Sequence, residues 1–321
     1  MRKRRKVLIA VVVLSVLILV IVVLNVVSGN DEGVCEMFLS NGSMYYTDYK
    51  DTLYRYDNTL GKGEIVSKLD IRNAGRVIEN KGYIYYSNGS TISRKNLVSG
   101  ATEKIITGKN IGIHLIAGNR LIYGAAYKAA DNGGYSQFEY RIYNLATGKD
   151  DLLFKRSEDI WKFFNGQGNI VMADGSLKDD SGLYVIDLET GIKKKLINTR
   201  VSEGYLANGK FYYTSQPLNS LRSIDLNSEN LEEIPLPGSG EENFVIHPIT
   251  GSGDFLYAAV RFLGKHHLIR MDIKTQDATI LADGLGSVWE LCTDGNTLYA
   301  YDTKSPADKK GNITVIFPFG Q

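Results

Sequence analysis

The sequence predicts an all-β protein, a β-propeller of about seven four-stranded blades preceded by one N-terminal transmembrane helix. An unbroken apolar run from Val7 to Val27 follows the basic cluster Arg2-Lys3-Arg4-Arg5-Lys6. Beyond Gly29, a turn pair followed by an aromatic strand recurs about every 42 residues, a period that suits four short antiparallel strands per unit. No long amphipathic helical stretch interrupts this pattern.

The apolar run comes first. At about 1.5 Å per residue it makes a helix of roughly 30 Å, the hydrocarbon thickness of a bilayer. Only Ser15 and Asn25 break it, and neither is charged. It is longer than a cleavable signal's apolar core and lacks an A-x-A ending, so a retained signal anchor is expected. Cys35 follows Glu32-Gly33-Val34 rather than small residues at the end of the run, which argues against lipoprotein processing. The basic cluster sets the orientation through the positive-inside bias. Residues 1–6 are expected to be a cytoplasmic tail, 7–27 the anchor in the cell membrane and lipid bilayer, 28–33 a linker, and 34–321 an extracytoplasmic propeller.

Beyond residue 30 the chain holds 32 basic and 36 acidic residues, a net charge of −4 spread along it. A nucleic-acid partner calls for a concentrated basic face, so none is expected. Twenty Tyr, 33 Gly and only six Pro fit short strands joined by tight turns.

The repeat reads NGSMYYTD from Asn41, KGYIYYSN from Lys81, GNRLIYGA from Gly118, QGNIVMAD from Gln167, NGKFYYTS from Asn208, GDFLYAAV from Gly253 and GNTLYAYD from Gly295. Its aligned marker positions are Tyr46, Tyr86, Tyr123, Met172, Tyr213, Ala258 and Ala300, spaced by 40, 37, 49, 41, 45 and 42 residues. A second strand pattern follows each copy and ends in Asp or Asn, as in LYRYD from Leu53 and LYVIDL from Leu183. Small sheets with apolar residues on both faces are unstable alone, and stacking them around an axis buries both faces. The last unit has a degraded third strand, ITVIF from Ile313, and little chain after it. It either stays three-stranded or borrows a strand from residues 30–36.

Tyr45-Tyr46-Thr47-Asp48 followed by Leu53-Tyr54-Arg55 resembles the tyrosine-tryptophan-threonine-aspartate repeat of low-density-lipoprotein-receptor-type propellers. Tyr85-Tyr86-Ser87-Asn88 and Tyr212-Tyr213-Thr214-Ser215 are weaker echoes. More closely, residues 34–321 resemble membrane-anchored or secreted bacterial propellers of unknown function from Gram-positive organisms. The resemblance implies the fold and no functional residue, because its motif positions are architectural. The Trp is replaced throughout, and the receptor family has six blades. Six and eight therefore stand beside seven as blade counts.

The two cysteines suggest how the ring closes. Cys35 lies in the opening strand of the first unit and Cys292 in that of the last, neighbours in a closed propeller. Outside the cytoplasm a disulfide between them is allowed, and it would constrain the unfolded chain by about 4–5 kcal/mol. The alternative is two buried free thiols.

Catalytic signatures are missing from the sequence. Gly61-Lys62-Gly63, Gly238-Ser239-Gly240 and Gly284-Leu285-Gly286 have neither dinucleotide nor P-loop spacing and read as loops. No G-x-S-x-G elbow occurs. His114, His247, His266 and His267 fall in no paired-ligand spacing, and His266-His267 read as solvated residues of a hairpin. Asp179-Asp180 and Asp131-Asn132 fall short of a calcium loop. No cofactor or metal is implied.

What remains is the axial mouth, where Arg76, His114, Trp161, Glu203, His247 and Trp289 are the candidate ligand-binding residues. The expected function is non-enzymatic recognition or scaffolding, with an envelope protein or cell-wall glycan as partner. The alternative is a hydrolase or lactonase-like enzyme whose acidic and histidine residues meet on the axis.

Overall fold

The computed structural model describes residues 34–48, 50–71, 76–129, 135–156, 162–165, 169–174, 182–215, 219–303 and 311–316. The expected anchor, tail and linker lie outside them. Among the described residues no helix is long and apolar enough to cross a membrane.

The described residues form antiparallel strands in sequence order. The first sheet holds β1 (Val34–Ser40), β2 (Ser43–Asp48), β3 (Thr52–Asp57) and β4 (Lys62–Lys68). A seven-stranded sheet follows: β5 (Ile78–Asn80), β6 (Tyr83–Ser87), β7 (Gly89–Asn96), β8 (Thr102–Ala117), β9 (Arg120–Ala129), β10 (Tyr135–Asn144) and β11 (Asp150–Arg156). Next come β12 (Lys162–Asn165), β13 (Asn169–Asp174), β14 (Gly182–Asp187) and β15 (Lys193–Ile197). The fourth sheet is β16 (Val201–Ala207), β17 (Lys210–Ser215), β18 (Leu221–Asp225) and β19 (Leu231–Ile234). The fifth is β20 (Val245–Ser252), β21 (Phe255–Phe262), β22 (Lys265–Asp272) and β23 (Ala278–Leu285). The last, β24 (Ser287–Thr293), β25 (Leu298–Thr303) and β26 (Gly311–Ile316), has three strands. Residues from Val34 onward belong to β1 of the first sheet, so they are not lent to the last one.

Every recurring turn pair leads into the second strand of its unit: β2, β6, β9, β13, β17, β21 or β25. Asn41-Gly42, Lys81-Gly82 and Asn208-Gly209 all have positive φ, the conformation a tight two-residue hairpin demands. The seven-stranded sheet departs from the expected four-strand unit. Its strand β8 is 16 residues long and pairs with β7 through its first half and with β9 through its second. One strand thus closes the second repeat and opens the third without a break.

Alternation explains the two-sided greasiness of these sheets. In β13, Ile170 and Met172 pack with Ile122, Tyr140 and Phe163 on one side. Val171 and Ala173, on the opposite face, pack with Val201, Phe211 and Tyr213. β21 divides similarly, with Leu256, Ala258 and Val260 facing the preceding sheet and Tyr257 and Ala259 the following one. Burying one such large side chain contributes about 1.5–3 kcal/mol. The core is therefore a set of layers between successive units rather than one central mass.

The first strands of the units complete a circuit. β1 neighbours β5 and β24, β5 neighbours β8, and β12, β16 and β20 follow in order to β24. The joint between the last sheet and the first is made by side chains: Met44 packs with Cys292 and Tyr299. The Tyr56 hydroxyl donates to the Ile313 carbonyl at 3.3 Å, and Asn58 Nδ2 donates to the Tyr299 hydroxyl at 3.1 Å. Cys292 is buried with a free thiol, and burial pushes its pKa up. Cys35 lies on the neighbouring β1, its side chain outside the description.

The recurring Asp or Asn at the end of the third strand is a turn anchor in the first six units. Asn144 Oδ1 accepts from the amides of Ala146 and Thr147 at 2.9 and 3.1 Å. Asp57, Asn96, Asp187, Asp225 and Asp272 make the same pair of bonds to the residues two and three positions on. One expectation is corrected nearby. His266 and His267 are not in a solvated hairpin but within β22, and His267 is 8% exposed and stacks on Phe262 with ring centroids 4.1 Å apart. Alternation along the strand turns His267 inward, and neither of its ring nitrogens has a hydrogen-bond partner.

Two stability measurements check this account. Asn144→Ala should cost about 1 kcal/mol in chemical denaturation while Asn144→Asp, which keeps the acceptor, stays near wild type. His267→Leu should raise the thermal midpoint, because an apolar side chain removes a buried polar group that has no partner.

Candidate functional site

Side chains from successive units converge where the first strands of those units meet. Five first strands share a local irregularity. The register slips between Val34 and Glu36, Ile113 and Leu115, Val201 and Glu203, Ile246 and Ile249, and Val288 and Glu290. Such a bulge adds a residue to one strand and re-aims the side chains around it. Three of these places read Val-x-Glu: Val34-Cys35-Glu36, Val201-Ser202-Glu203 and Val288-Trp289-Glu290. In each the Val is buried or begins the strand, and the Glu follows the extra residue.

Glu203 is the best-partnered member. Lys162 Nζ, from β12, lies 2.5 Å from its Oε1, and His247 Nε2, from β20, lies 3.4 Å from the same oxygen. Burial raises the Glu203 pKa, but the hydrogen bond from His247 and the Lys162 charge outweigh it and hold the carboxyl below its ordinary range. Glu203 is therefore ionised at neutral pH.

Glu36 and Glu290 have the opposite character. Burial pushes Glu36 up to about 7, against the lowering influence of a hydrogen bond from the Val77 amide and of Arg76 and Lys162. Burial, joined by repulsion from Glu36 and Glu203, pushes Glu290 up to about 8. The mutual influence of Glu36, Glu203, Glu290, Lys162 and Arg76 places all five in one electrostatic cluster. Arg76 is tied to the third unit as well, since its Nη1 donates to the His114 carbonyl at 3.0 Å. The His114 ring lies 5.4 Å from both Tyr140 and Phe163, and Gly124 leaves room for it: a Cβ there would sit 2.7 Å from His114 Nε2.

Four of the six residues singled out from the sequence, Arg76, His114, Glu203 and His247, thus come together. Trp161 lies outside the described residues. Trp289 is on the bulge of β24, 41% exposed, with its Nε1 donating to Thr303 Oγ1 at 3.0 Å, which leaves its ring at a partly open rim rather than on a closed floor. Sequence reasoning missed Glu36, Lys162 and Glu290. The recurring Val-x-Glu at the head of three units was the available signal.

A cleft of about 510 Å³ opens from Arg76 and His114 between β6, β7, β8 and β9. Ser87, Asn88, Ser90, Lys109 and Asn110 form its polar wall, and Phe138 its apolar end. Among the described residues no group of three or more His, Cys, Asp or Glu is placed to hold a metal ion. The chemistry on offer is hydrogen bonding, charge pairing and proton exchange at two carboxyls poised near neutrality.

No protein family and no curated protein matches the chain. Solved structures do. The WD40 repeats of RRP9 align at a TM-score of 0.63 and 11% identity over 90% of this chain and 95% of that one. An oligogalacturonate lyase in complex with manganese aligns at 0.59 and 9% over 86% and 85%. A puromycin-hydrolyzing peptidase of Mycobacterium tuberculosis aligns at 0.67 and 11%, with 90% of this chain matching 52% of that longer one. At such identities the likeness speaks for the fold alone, and the fold is a β-propeller of repeated sheets.

The cluster sets a pH dependence. The pKa values of Glu36 and Glu290 rise above the unfolded value of 4.5, so their stabilising contribution is complete below that pH and is lost as pH climbs through about 7 and 8. The thermal midpoint should fall between pH ~5 and ~9. Glu290→Gln should flatten the fall, and a wild-type profile that rises over this window would contradict the assignment.

Proposed function

We propose that this chain is a single-pass membrane protein with a cytoplasmic N-terminus, whose extracytoplasmic head is a seven-bladed propeller that recognises an envelope protein or cell-wall component at its axial mouth. The 21-residue apolar run behind Arg2-Lys3-Arg4-Arg5-Lys6, interrupted only by Ser15 and Asn25, supports the anchor and its orientation. Seven repeats, with β8 serving two of them, support the blade count.

The observation that carries the recognition reading is the convergence of Glu36, Arg76, Lys162, Glu203, His247 and Glu290 from separate units onto one place. Each is brought there by its own first strand or the segment entering it. Charges assembled in this way cost desolvation energy, and Glu36 and Glu290 remain strained toward neutrality. Core packing does not call for them, since the apolar layers lie between the sheets. Complementary polar contact with a partner does.

A second reading is favoured by one observation: Glu203 is held ionised while burial pushes Glu36 up to about 7 and Glu290 up to about 8. Carboxyls driven to opposite protonation states are what acid–base catalysis uses, so a hydrolase or lactonase-like activity at the same mouth is the alternative.

A photo-crosslinking residue in place of Trp289, used in native membranes, tests the leading reading. Capture of a defined neighbour should drop about tenfold or more in Lys162→Met and Glu203→Gln at equal protein level. Unchanged capture in both variants would sink it. Turnover of a lactone or glycoside panel by the wild type, abolished in Glu290→Gln, would move the assignment to the enzyme.

A further inference from the structure

Several cations among the described residues are paired with carboxylates on the sheets. Arg55 meets Glu64, Arg94 meets Glu103, Arg141 meets Asp150, and Lys274 meets Asp254. Arg76 and Lys109 are different. Both line the cleft beside the axial mouth, and neither makes an ion pair among the described residues. No described Asp or Glu lines the cleft. Cations on the wall of a concave site without a lining carboxylate attract negative charge from solution, and low-dielectric walls concentrate that field.

The wall between the two cations is built for a polar guest. Ser87 Oγ donates to the Ile111 carbonyl at 2.7 Å, and Asn88 Oδ1 accepts from the amides of Ser90 and Thr91, which fixes the loop at the rim. Gly89, with φ 83, and Gly112 would each place a Cβ in open space, so their lack of side chains keeps the cleft clear. Arg76 is positioned by its bond to the His114 carbonyl through Nη1, which leaves the other guanidinium nitrogens for a ligand. Its neighbour Glu36 is kept from quenching it, since burial holds that carboxyl protonated up to about pH 7.

We infer that this cleft, between the second and third repeats, binds an oxyanion carried on a polar molecule: the carboxylate of an acidic sugar or a phosphate ester, seated between Arg76 and Lys109. The volume of about 510 Å³ suits a ligand of saccharide size. A guanidinium can grip either oxyanion with two parallel hydrogen bonds, while the Lys109 ammonium adds a point charge from the exposed rim. The inference rests on the reading of the axial mouth as a recognition site and names the chemistry that it recognises.

The full chain in detergent micelles at pH 6.5 tests it by calorimetry, with sodium D-glucuronate and glycerol 3-phosphate as separate probes and uncharged glucose and glycerol as references. Saturable binding of at least one anion is expected, with the stronger of the two identifying the source. Arg76→Gln should weaken it at least tenfold, and Lys109→Glu, on the exposed rim where folding is not at stake, at least fivefold. Binding of neither anion, or equal binding in both variants, overturns the inference. The two readings fail separately. Loss of anion binding with capture still dependent on Glu203 leaves the recognition mouth standing, and anion binding with capture indifferent to Glu203 removes the mouth but keeps the cleft.

Discussion

Sheets that are apolar on both faces impose the architecture. Ile170 and Met172 look one way and Val171 and Ala173 the other, so a sheet containing β13 can be dry only between two neighbours. That requirement passes from each unit to the next and ends only when the last meets the first. The Met44, Cys292 and Tyr299 layer is that meeting, and the Tyr56 and Asn58 hydrogen bonds pin it. Without closure two apolar faces would be left to solvent, which is why circularity is a condition of stability here.

The same circularity makes the polar cluster. Once the first strands face a common axis, side chains distant in sequence become neighbours, and the small shift supplied by a bulge turns a Glu inward. Packing has already excluded water from the surrounding layers, so a carboxyl that arrives there is desolvated. Glu203 survives as an anion because Lys162 and His247 reach it. Glu36 and Glu290 lack equivalent partners and hold their protons instead.

Much of this was legible in the sequence because it is written in periodicity. The turn pairs, the seven second strands and the Asp or Asn at the third-strand ends of the first six units could all be read, as the Asn41-Gly42 hairpin and the Asn144 turn illustrate. Arg76, His114, Glu203 and His247 could be placed at the mouth because they sit in opening strands or the segment entering one. Lys162 carried no signal of its own, Glu36 and Glu290 only the recurring Val-x-Glu, since their importance lies in meeting one another across hundreds of residues, and His267 looked like a loop residue because a turn pair precedes it. The continuity of β8 was hidden for a different reason: a unit of four strands predicts a break between repeats, whereas Asn110 takes a positive φ inside the strand without ending it.

That continuous strand makes the ring mechanically uneven. The second and third units share one hydrogen-bonded fabric through β8, so they must tilt as a single plate. Among the described residues, the seam between β24 and β1 is held by side chains, and β26 at its outer flank has no fourth strand beside it. Unlike the other joints between separate sheets, this one is not bridged by the chain passing directly from one unit into the next, so its closure rests on the Met44, Cys292 and Tyr299 layer and the bonds of Tyr56 and Asn58.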